Sequence, residues 1–242
     1  MPKHHGEMPY DVIIVGGGPA GLSAALALGR ARRKVLLCDF GARRNAAASH
    51  IHNFVTRDGT SPDEFRGIAR AQLGGYPTVE VVDRRVRAIH GSKGAFRVAL
   101  EFDEGEREVE ARRILLCTGM IDEQLPIEGF AELWGHAIVQ CPYCHGWELR
   151  ERPWGYLVHD PALLHFAVML RGWSREVTVF TNAAIELSSE QVASLAAHGV
   201  RVETAAIDRL RRREHRLEGV ELAGKLVPCE LLFAHPPQRQ VE

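Results

Sequence analysis

Apolar residues in this chain fall into short runs and alternations, separated by glycine, proline and charge, with stretches of helical spacing between them. Asp11 to Val15 is a compact apolar run, which predicts a short buried strand. After Gly16-Gly17-Gly18-Pro19-Ala20-Gly21 comes an alanine- and leucine-rich segment to Arg32, which predicts a helix, and then a second apolar run from Lys34 to Asp39. Strand, helix and strand in that order predict a βαβ opening. Ser61, with Pro62 behind it and Glu64 three residues on, is a helix N-terminal signature, and that helix is expected to reach about Leu73. Val79 to Ile89, Phe96 to Phe102 and Glu108 to Cys117 alternate as strands, with turn residues at Gly91 to Gly94 and Asp103 to Gly105 between them. Together they predict a small antiparallel sheet appended to a parallel one.

The second half repeats the first. Setting Pro161 on Pro19 aligns the two without a gap, so that Ala162 falls on Ala20, Leu164 on Leu22, Leu170 on Leu28 and Val177 on Val35. Two nucleotide-type βαβ units in one chain predict an α/β fold of two Rossmann-like, three-layer domains, with the antiparallel sheet inserted in the first. Pro126 and Gly129 punctuate the stretch between Gly119 and Gly135, and the boundary is set there, giving domains over 1–122 and 123–242.

Gly16, Gly18 and Gly21 spell GxGxxG directly after a predicted strand and directly before a predicted helix. The first glycine permits the tight turn, the second lets a pyrophosphate approach the backbone, and the third lets helix and strand pack closely. Pro19 and Ala20 open the helix, whose first amides are suited to phosphate. Asp39, at the end of the second strand, stands near the separation expected of an acid that accepts from the adenosine ribose hydroxyls. The motif alone does not separate FAD from NAD.

Composition narrows the partners. With 30 basic against 31 acidic residues the formal net charge is −1, and the one dense basic run, Arg211-Arg212-Arg213, reads as a turn-like stretch. Nothing tracks a phosphate backbone, so no nucleic-acid partner is expected. No segment approaches the apolar length needed to span a bilayer, and Met1 to Tyr10 is polar with no apolar signal core, so a cytoplasmic protein without membrane contact is expected. In a reducing compartment the five cysteines do not read as a disulfide framework, and a close pair reads as redox-active or metal-binding.

That pair is Cys141-Pro142-Tyr143-Cys144, followed by His145 and Gly146. Two thiols two residues apart at a helix start can close a reversible disulfide, and a helix dipole favours the thiolate. CxxCH is also the c-type haem attachment pattern, which requires export, and CPYC occurs in glutaredoxins, where it follows the first strand of a small domain. A closed zinc site needs four ligands, and the other cysteines nearest in sequence, Cys117 and Cys229, are single and far away, so no metal is expected. Cys38 and Cys117 read as buried packing thiols.

Ile114-Leu115-Leu116-Cys117-Thr118-Gly119, an apolar strand ending in Thr-Gly after the antiparallel insertion, together with the glycine loop and the CxxC, resembles the thioredoxin reductase-like, class II pyridine nucleotide-disulfide oxidoreductase family. The resemblance implies that the first domain binds FAD, with Thr118 and Gly119 beside the cofactor. It implies that Cys144 faces the flavin while Cys141 exchanges with a substrate dithiol or disulfide, either a small redox protein or a small-molecule dithiol, and that the chain is a homodimer. His145 stands where such reductases carry an acid, and an imidazole near neutrality suits shuttling the thiol proton.

Two departures qualify it. On the self-alignment Gly16 becomes Val158, Gly18 becomes Asp160, Gly21 becomes Leu163 and Asp39 becomes Thr181, which puts NADPH binding in the usual mode in doubt. This pattern is similar to a branch with a degenerate nicotinamide domain, including the FAD-dependent dithiol oxidases of gliotoxin and holomycin biosynthesis. The family's C-terminal segment with a Gly-Asp motif beside the flavin is also missing, which questions tight FAD retention. The expected function is a FAD-dependent thiol-disulfide oxidoreductase, with an NADPH-dependent thioredoxin-disulfide reductase and a non-catalytic flavoprotein-like scaffold as the alternatives.

Overall fold

The computed structural model describes residues 9–241. Most of the polar N-terminal stretch read above for the absence of a signal core lies outside the described residues. Two units emerge. The first comprises Met1–Ala46, Ser61–Ile121 and Gln240–Glu242, and the second Ala47–Thr60 and Asp122–Arg239.

The first unit opens with β1 (Val12–Val15), α1 (Pro19–Arg30) and β2 (Val35–Cys38), followed by α2 (Pro62–Leu73), β3 (Val79–Val82), β4 (Val86–Ser92), β5 (Ala95–Phe102), β6 (Gly105–Ala111) and β7 (Ile114–Leu116). A parallel sheet runs in the order β3-β2-β1-β7, and β4, β5 and β6 form a separate antiparallel sheet. Alternation within the strands assigns the layers. Val12, Ile14, Val35 and Leu37 pack with Leu22, Ala25 and Leu73 of the helices, whereas Ile13, Leu36 and Cys38 pack with Val98, Leu100 and Ala111 of the antiparallel sheet. Both faces of the parallel sheet are thus buried, as its unbroken apolar runs require. Ser61 caps α2 by accepting from the Glu64 amide at 3.1 Å.

Two expected strands are each divided. Val79 to Ile89 splits at Asp83-Arg84-Arg85, and Glu108 to Cys117 splits at Arg112-Arg113, because in each case one half pairs in the antiparallel sheet and the other in the parallel sheet. Charged residues mark the crossings, where the backbone leaves one ladder for the other.

β8 (Met120–Asp122) lies where the chain passes into the second unit. That unit contains α3 (Phe130–Leu133), β9 (Ile138–Val139), α4 (Pro142–His145), β10 (Trp154–Leu157), α5 (Leu164–Leu170), β11 (Val177–Phe180), α6 (Ser189–Ala197), β12 (Val200–Glu203), β13 (Ile207–Arg213), β14 (Arg216–Leu222), β15 (Lys225–Pro228) and β16 (Leu231–Ala234), and β17 (Gln238–Gln240) follows. Its parallel sheet has the order β12-β11-β10-β16-β9. Helix residues Leu164, Ala167, Leu170 and Leu195 cover one face, and Leu210, Leu217, Val220 and Val227 of β13, β14 and β15 cover the other. The fold is therefore α/β with two three-layer, Rossmann-like units, and the second carries an antiparallel sheet that was not anticipated. Arg211, Arg212 and Arg213 lie in β13 rather than in a turn. Arg209 and Arg211 reach Glu221 of β14 at 2.6 and 3.3 Å, and Arg212 reaches Glu132 of α3 at 2.8 Å, so a neighbouring strand and a helix supply acidic partners for Arg209, Arg211 and Arg212. No helix among the described residues is long and apolar enough to cross a membrane.

Candidate functional site

In the first unit β1 runs into the glycine loop. Gly16 has φ +111°, and a Cβ there would stand 2.2 Å from the Cys117 carbonyl oxygen, so backbone conformation and the adjoining strand end both demand glycine. A Cβ on Gly21 would meet the Gly16 carbonyl oxygen at 1.9 Å, which accounts for the close seat of α1. Gly18 differs, because a Cβ there would meet nothing within 4 Å. Its lack of a side chain relieves no clash inside the protein and leaves space in front of α1. Gly18 caps α1 without any side-chain hydrogen bond, and Pro19 and Ala20 are exposed, so the first-turn amides remain available to an anion.

Thr118 and Gly119 follow β7, which pairs with β1 in parallel and brings Leu116 opposite Val15. Thr118 Oγ1 is buried and has no hydrogen-bond partner among the described residues, and Gly119 is exposed with φ +77°. An orphaned hydroxyl, an open glycine and an uncapped helix start at one end of one sheet fit a dinucleotide.

Asp39 lies at the end of β2 and is 5% exposed, so its charge needs partners. It accepts from the Gly41 amide at 2.9 Å and from Arg66 Nε at 2.9 Å, and Arg66 Nη2 makes a second, shorter contact. Arg70 Nη1 stands 3.6 Å away and is shared with Asp83, which it reaches at 2.7 Å. Arg66 and Arg70, one turn apart on α2, were missed by the sequence reading. Their i,i+4 spacing puts both on one face of the helix, but only the packing of α2 brings that face to Asp39.

In the second unit Cys141 is the N-cap of α4, a single turn, and the Cys144 amide donates to the Cys141 carbonyl at 3.3 Å. All five cysteines are free thiols. Burial, together with a hydrogen bond and charge from Cys141, pushes the Cys144 thiol up to about 12. The expected thiolate-favouring helix dipole does not prevail: one turn aligns too few peptides, and removal from water outweighs them. Burial holds His145 below the ordinary histidine value, and its Nδ1 is enclosed with no partner among the described residues. Aromatic side chains flank the pair. Tyr143 and Trp147 are exposed, Tyr143 meets Trp173 edge-on at 5.1 Å, and Arg150 lies 4.0 Å above the Trp147 ring.

At the second βαβ of this unit Val158 is buried, and Asp160 caps the turn that precedes α5 by accepting from the Ala162 amide at 2.9 Å. Thr181, the counterpart of Asp39, is buried and donates to the Thr204 carbonyl at 3.3 Å. A carboxylate thus occupies the helix start that the first unit leaves open.

This two-unit architecture, with a glycine loop in one unit and a CxxC in the other, defines a class of dinucleotide-binding disulfide oxidoreductase folds. The model of the pyridine nucleotide-disulphide oxidoreductase family matches residues 10–233, and the chain belongs to that family. An oxidoreductase structure from Agrobacterium tumefaciens superposes with a TM-score of 0.87 at 44% identity, over 96% of this chain and 76% of that one. Thioredoxin reductase tcpT of Claviceps purpurea is 36% identical over 76% of this chain and 59% of its own length, and thioredoxin reductase sirT of Leptosphaeria maculans is 32% identical over 83% and 64%. The chain therefore spans less than two thirds of these two curated relatives.

Proposed function

We propose that the protein is a FAD-dependent thiol-disulfide oxidoreductase in which Cys141 and Cys144 cycle between dithiol and disulfide. The adjacency of the two thiols, with a largely buried imidazole one residue on that interacts with the Cys141 backbone, is the observation that carries this reading. A substrate thiolate attacks one sulfur of the oxidised pair and the other leaves as thiolate. The second substrate thiolate then displaces the first cysteine, so that two electrons pass to the pair and the substrate leaves as a disulfide. His145 takes and returns the thiol proton.

Gly16, Gly18, Pro19, Ala20 and Gly21 would hold the pyrophosphate of FAD, Asp39 the ribose, and Thr118 and Gly119 the region past β7. When bound, FAD supplies a two-electron carrier. The first unit is accordingly the FAD-binding domain of the proposal, and the second is the CxxC-bearing domain. The capped helix start at Asp160 supports a second unit that does not take NADPH in the usual way. Family likeness is the ground for proposing a homodimer, which sedimentation would check.

Replacement of Cys144 by serine tests the reading. The variant is expected to keep FAD and lose turnover of a small dithiol such as dithiothreitol, and retained turnover would overturn it. Rapid bleaching of the flavin by anaerobic NADPH would favour the NADPH-dependent reductase instead.

A further inference from the structure

The backbone ladder between β9 and β16 stops just before the cysteine turn, its last pairs being Ile138 with Leu232 and Val139 with Phe233. Gln140 comes next on one side, and its carbonyl carbon is bonded to the Cys141 nitrogen. On the other side Ala234 and His235 lead into Pro236 and Pro237, which have no N–H to offer. A side chain supplies the donor instead, as His235 Nε2 donates to the Gln140 carbonyl at 3.1 Å. A carbonyl oxygen only accepts, so this bond requires a proton on Nε2. Phe166 and Tyr156 hold the His235 ring edge-on, with centroids 4.9 and 5.8 Å away and interplanar angles of 82° and 78°. Tyr156 is itself fully buried. The Gln140 side chain is tied as well: Nε2 donates to Asp122 Oδ1 at 3.0 Å, and Oε1 lies 3.5 Å from Gln238 Nε2.

We propose that His235 is a positioning residue for the redox pair: by holding the Gln140 carbonyl it fixes the peptide that leads into Cys141 and so favours closure of the disulfide with Cys144. The proposal rests on the reading of Cys141 and Cys144 as a cycling pair. A peptide unit is planar and ends on the Cα of the following residue, so a hydrogen bond that holds the Gln140 oxygen also restrains the Cys141 Cα. The Cys141 sulfur is then separated from a restrained atom by its Cβ alone, and χ1 is the torsion left to place it. On its other side the Cys141 carbonyl accepts from the Cys144 amide at 3.3 Å, so the backbone is tied both before and after this residue. Closing a disulfide orders both thiols. A chain already ordered at Cys141 gives up less freedom on closing, which raises the effective concentration of one thiol against the other. His235 acts on the pair through the Gln140 carbonyl.

The test equilibrates the full chain with mixtures of reduced and oxidised glutathione and quenches by alkylation, with mass spectrometry reporting how much of the Cys141 and Cys144 pair is disulfide. On oxidation an S–S bond forms between the two cysteines, and two electrons and two protons pass to glutathione disulfide, whose own S–S bond breaks to give two thiols. His235→Phe keeps a flat ring without the donor, and His235→Gln keeps an N–H donor of similar reach. His235→Phe is expected to shift the equilibrium toward the dithiol by about three- to ten-fold, the ratio carried by one net hydrogen bond, while His235→Gln stays close to the parent. Should His235→Phe melt early, His235→Leu takes its place. An equal shift in His235→Gln overturns the inference, because the effect would then belong to ring packing and not to the donor, and a shift toward the disulfide overturns it too. If the parent pair never closes across the glutathione series, the underlying reading fails. If it closes and His235→Phe matches it, this inference alone fails.

Discussion

The carboxylate of Asp39 lies directly against the backbone of Gly17: a Cβ built on that glycine would stand 2.3 Å from both Cγ and Oδ2 of the aspartate. Gly17 is not one of the three motif glycines, yet it is the position that lets the Asp39 carboxylate press against the loop. Gly17→Ala should therefore push Asp39 and its two arginines out of place while Gly18→Ala, facing open space, should leave the apoprotein intact. Crowding of this kind costs about 1–3 kcal/mol. The expected result is a lowered melting temperature for Gly17→Ala without any ligand, an unchanged one for Gly18→Ala, and weakened FAD binding for both by fluorescence quenching. An unchanged apoprotein melting temperature in Gly17→Ala would contradict the contact.

Arg66 should matter to the fold as well as to the cofactor. Its guanidinium is the principal partner of a nearly buried carboxylate, and removing it leaves that charge with the Gly41 amide and a more distant Arg70. Arg66→Met should destabilise the protein by about 1–3 kcal/mol in urea unfolding, the cost of a buried acceptor robbed of its main donor. Adding Asp39→Asn to Arg66→Met should recover part of the loss, and a double-mutant cycle measures how much. Strictly additive effects would show that the pair does not act as a unit.

How much of this could be read from the chain depends on the range of the interaction. The βαβ opening, the α2 cap at Ser61 and the open role of Gly18 are local, because a few consecutive residues decide them. Asp39 was legible as an acid at the right separation, but Arg66 and Arg70 are placed by the packing of α2, which no spacing within β2 announces. Likewise His52 stands 3.5 Å from Glu148 although it arrives from a hairpin about ninety residues earlier in the chain. The divided strands failed for a related reason: periodicity records burial of alternate side chains, not which of two sheets supplies the partner strand.

Stability should fall at both ends of the pH scale. Burial pushes the thiols of Cys38 and Cys229 up to about 12 from 9.0. A raised folded value means that the folded state keeps protons the unfolded chain gives up. This contribution is therefore complete below pH 9.0 and is lost as pH rises toward 12. His136, His145 and His235 are lowered from 6.5, each chiefly by burial, so their contribution is complete above 6.5 and is lost as pH falls below it. Melting temperature against pH should show a plateau between these limits, and Cys229→Ala should flatten the alkaline arm. An alkaline arm unchanged in that variant would remove Cys229 from the account.

The aromatic side chains beside the cysteine pair offer a separation of binding from chemistry. Tyr143 and Trp147 are exposed, at 57% and 65%, so trimming either removes little buried area. Tyr143→Ala and Trp147→Ala should leave the melting temperature within about 0.5 kcal/mol-equivalent of the parent, as expected for surface positions. If those rings seat the substrate, an apolar or aromatic dithiol should show a KM raised several-fold with kcat little changed, the signature of binding lost equally from ground and transition states. Dithiothreitol, too small to span the rings, should be nearly indifferent to both changes. Equal losses for large and small dithiols would place the effect in the geometry of α4 rather than in substrate contact.

Ligand-induced stabilisation separates the two nucleotide-type sites. A ligand that binds only the folded state at a hundred times its Kd adds about 2.7 kcal/mol, a shift that melting detects easily. FAD should produce such a shift through the open loop at Gly18, and Gly18→Asp, which copies the Asp160 arrangement into the first unit, should abolish it by placing a carboxylate where the pyrophosphate would lie. NADPH should produce none, because in the second unit the Asp160 carboxylate already accepts from the Ala162 amide at the helix start. Asp160→Gly frees that amide but leaves buried Val158 and half-buried Leu163 in place, so it should not create NADPH affinity by itself. A clear NADPH shift in the parent chain would mean that the nucleotide binds by a route independent of the second loop, and would favour the alternative of an NADPH-dependent reductase.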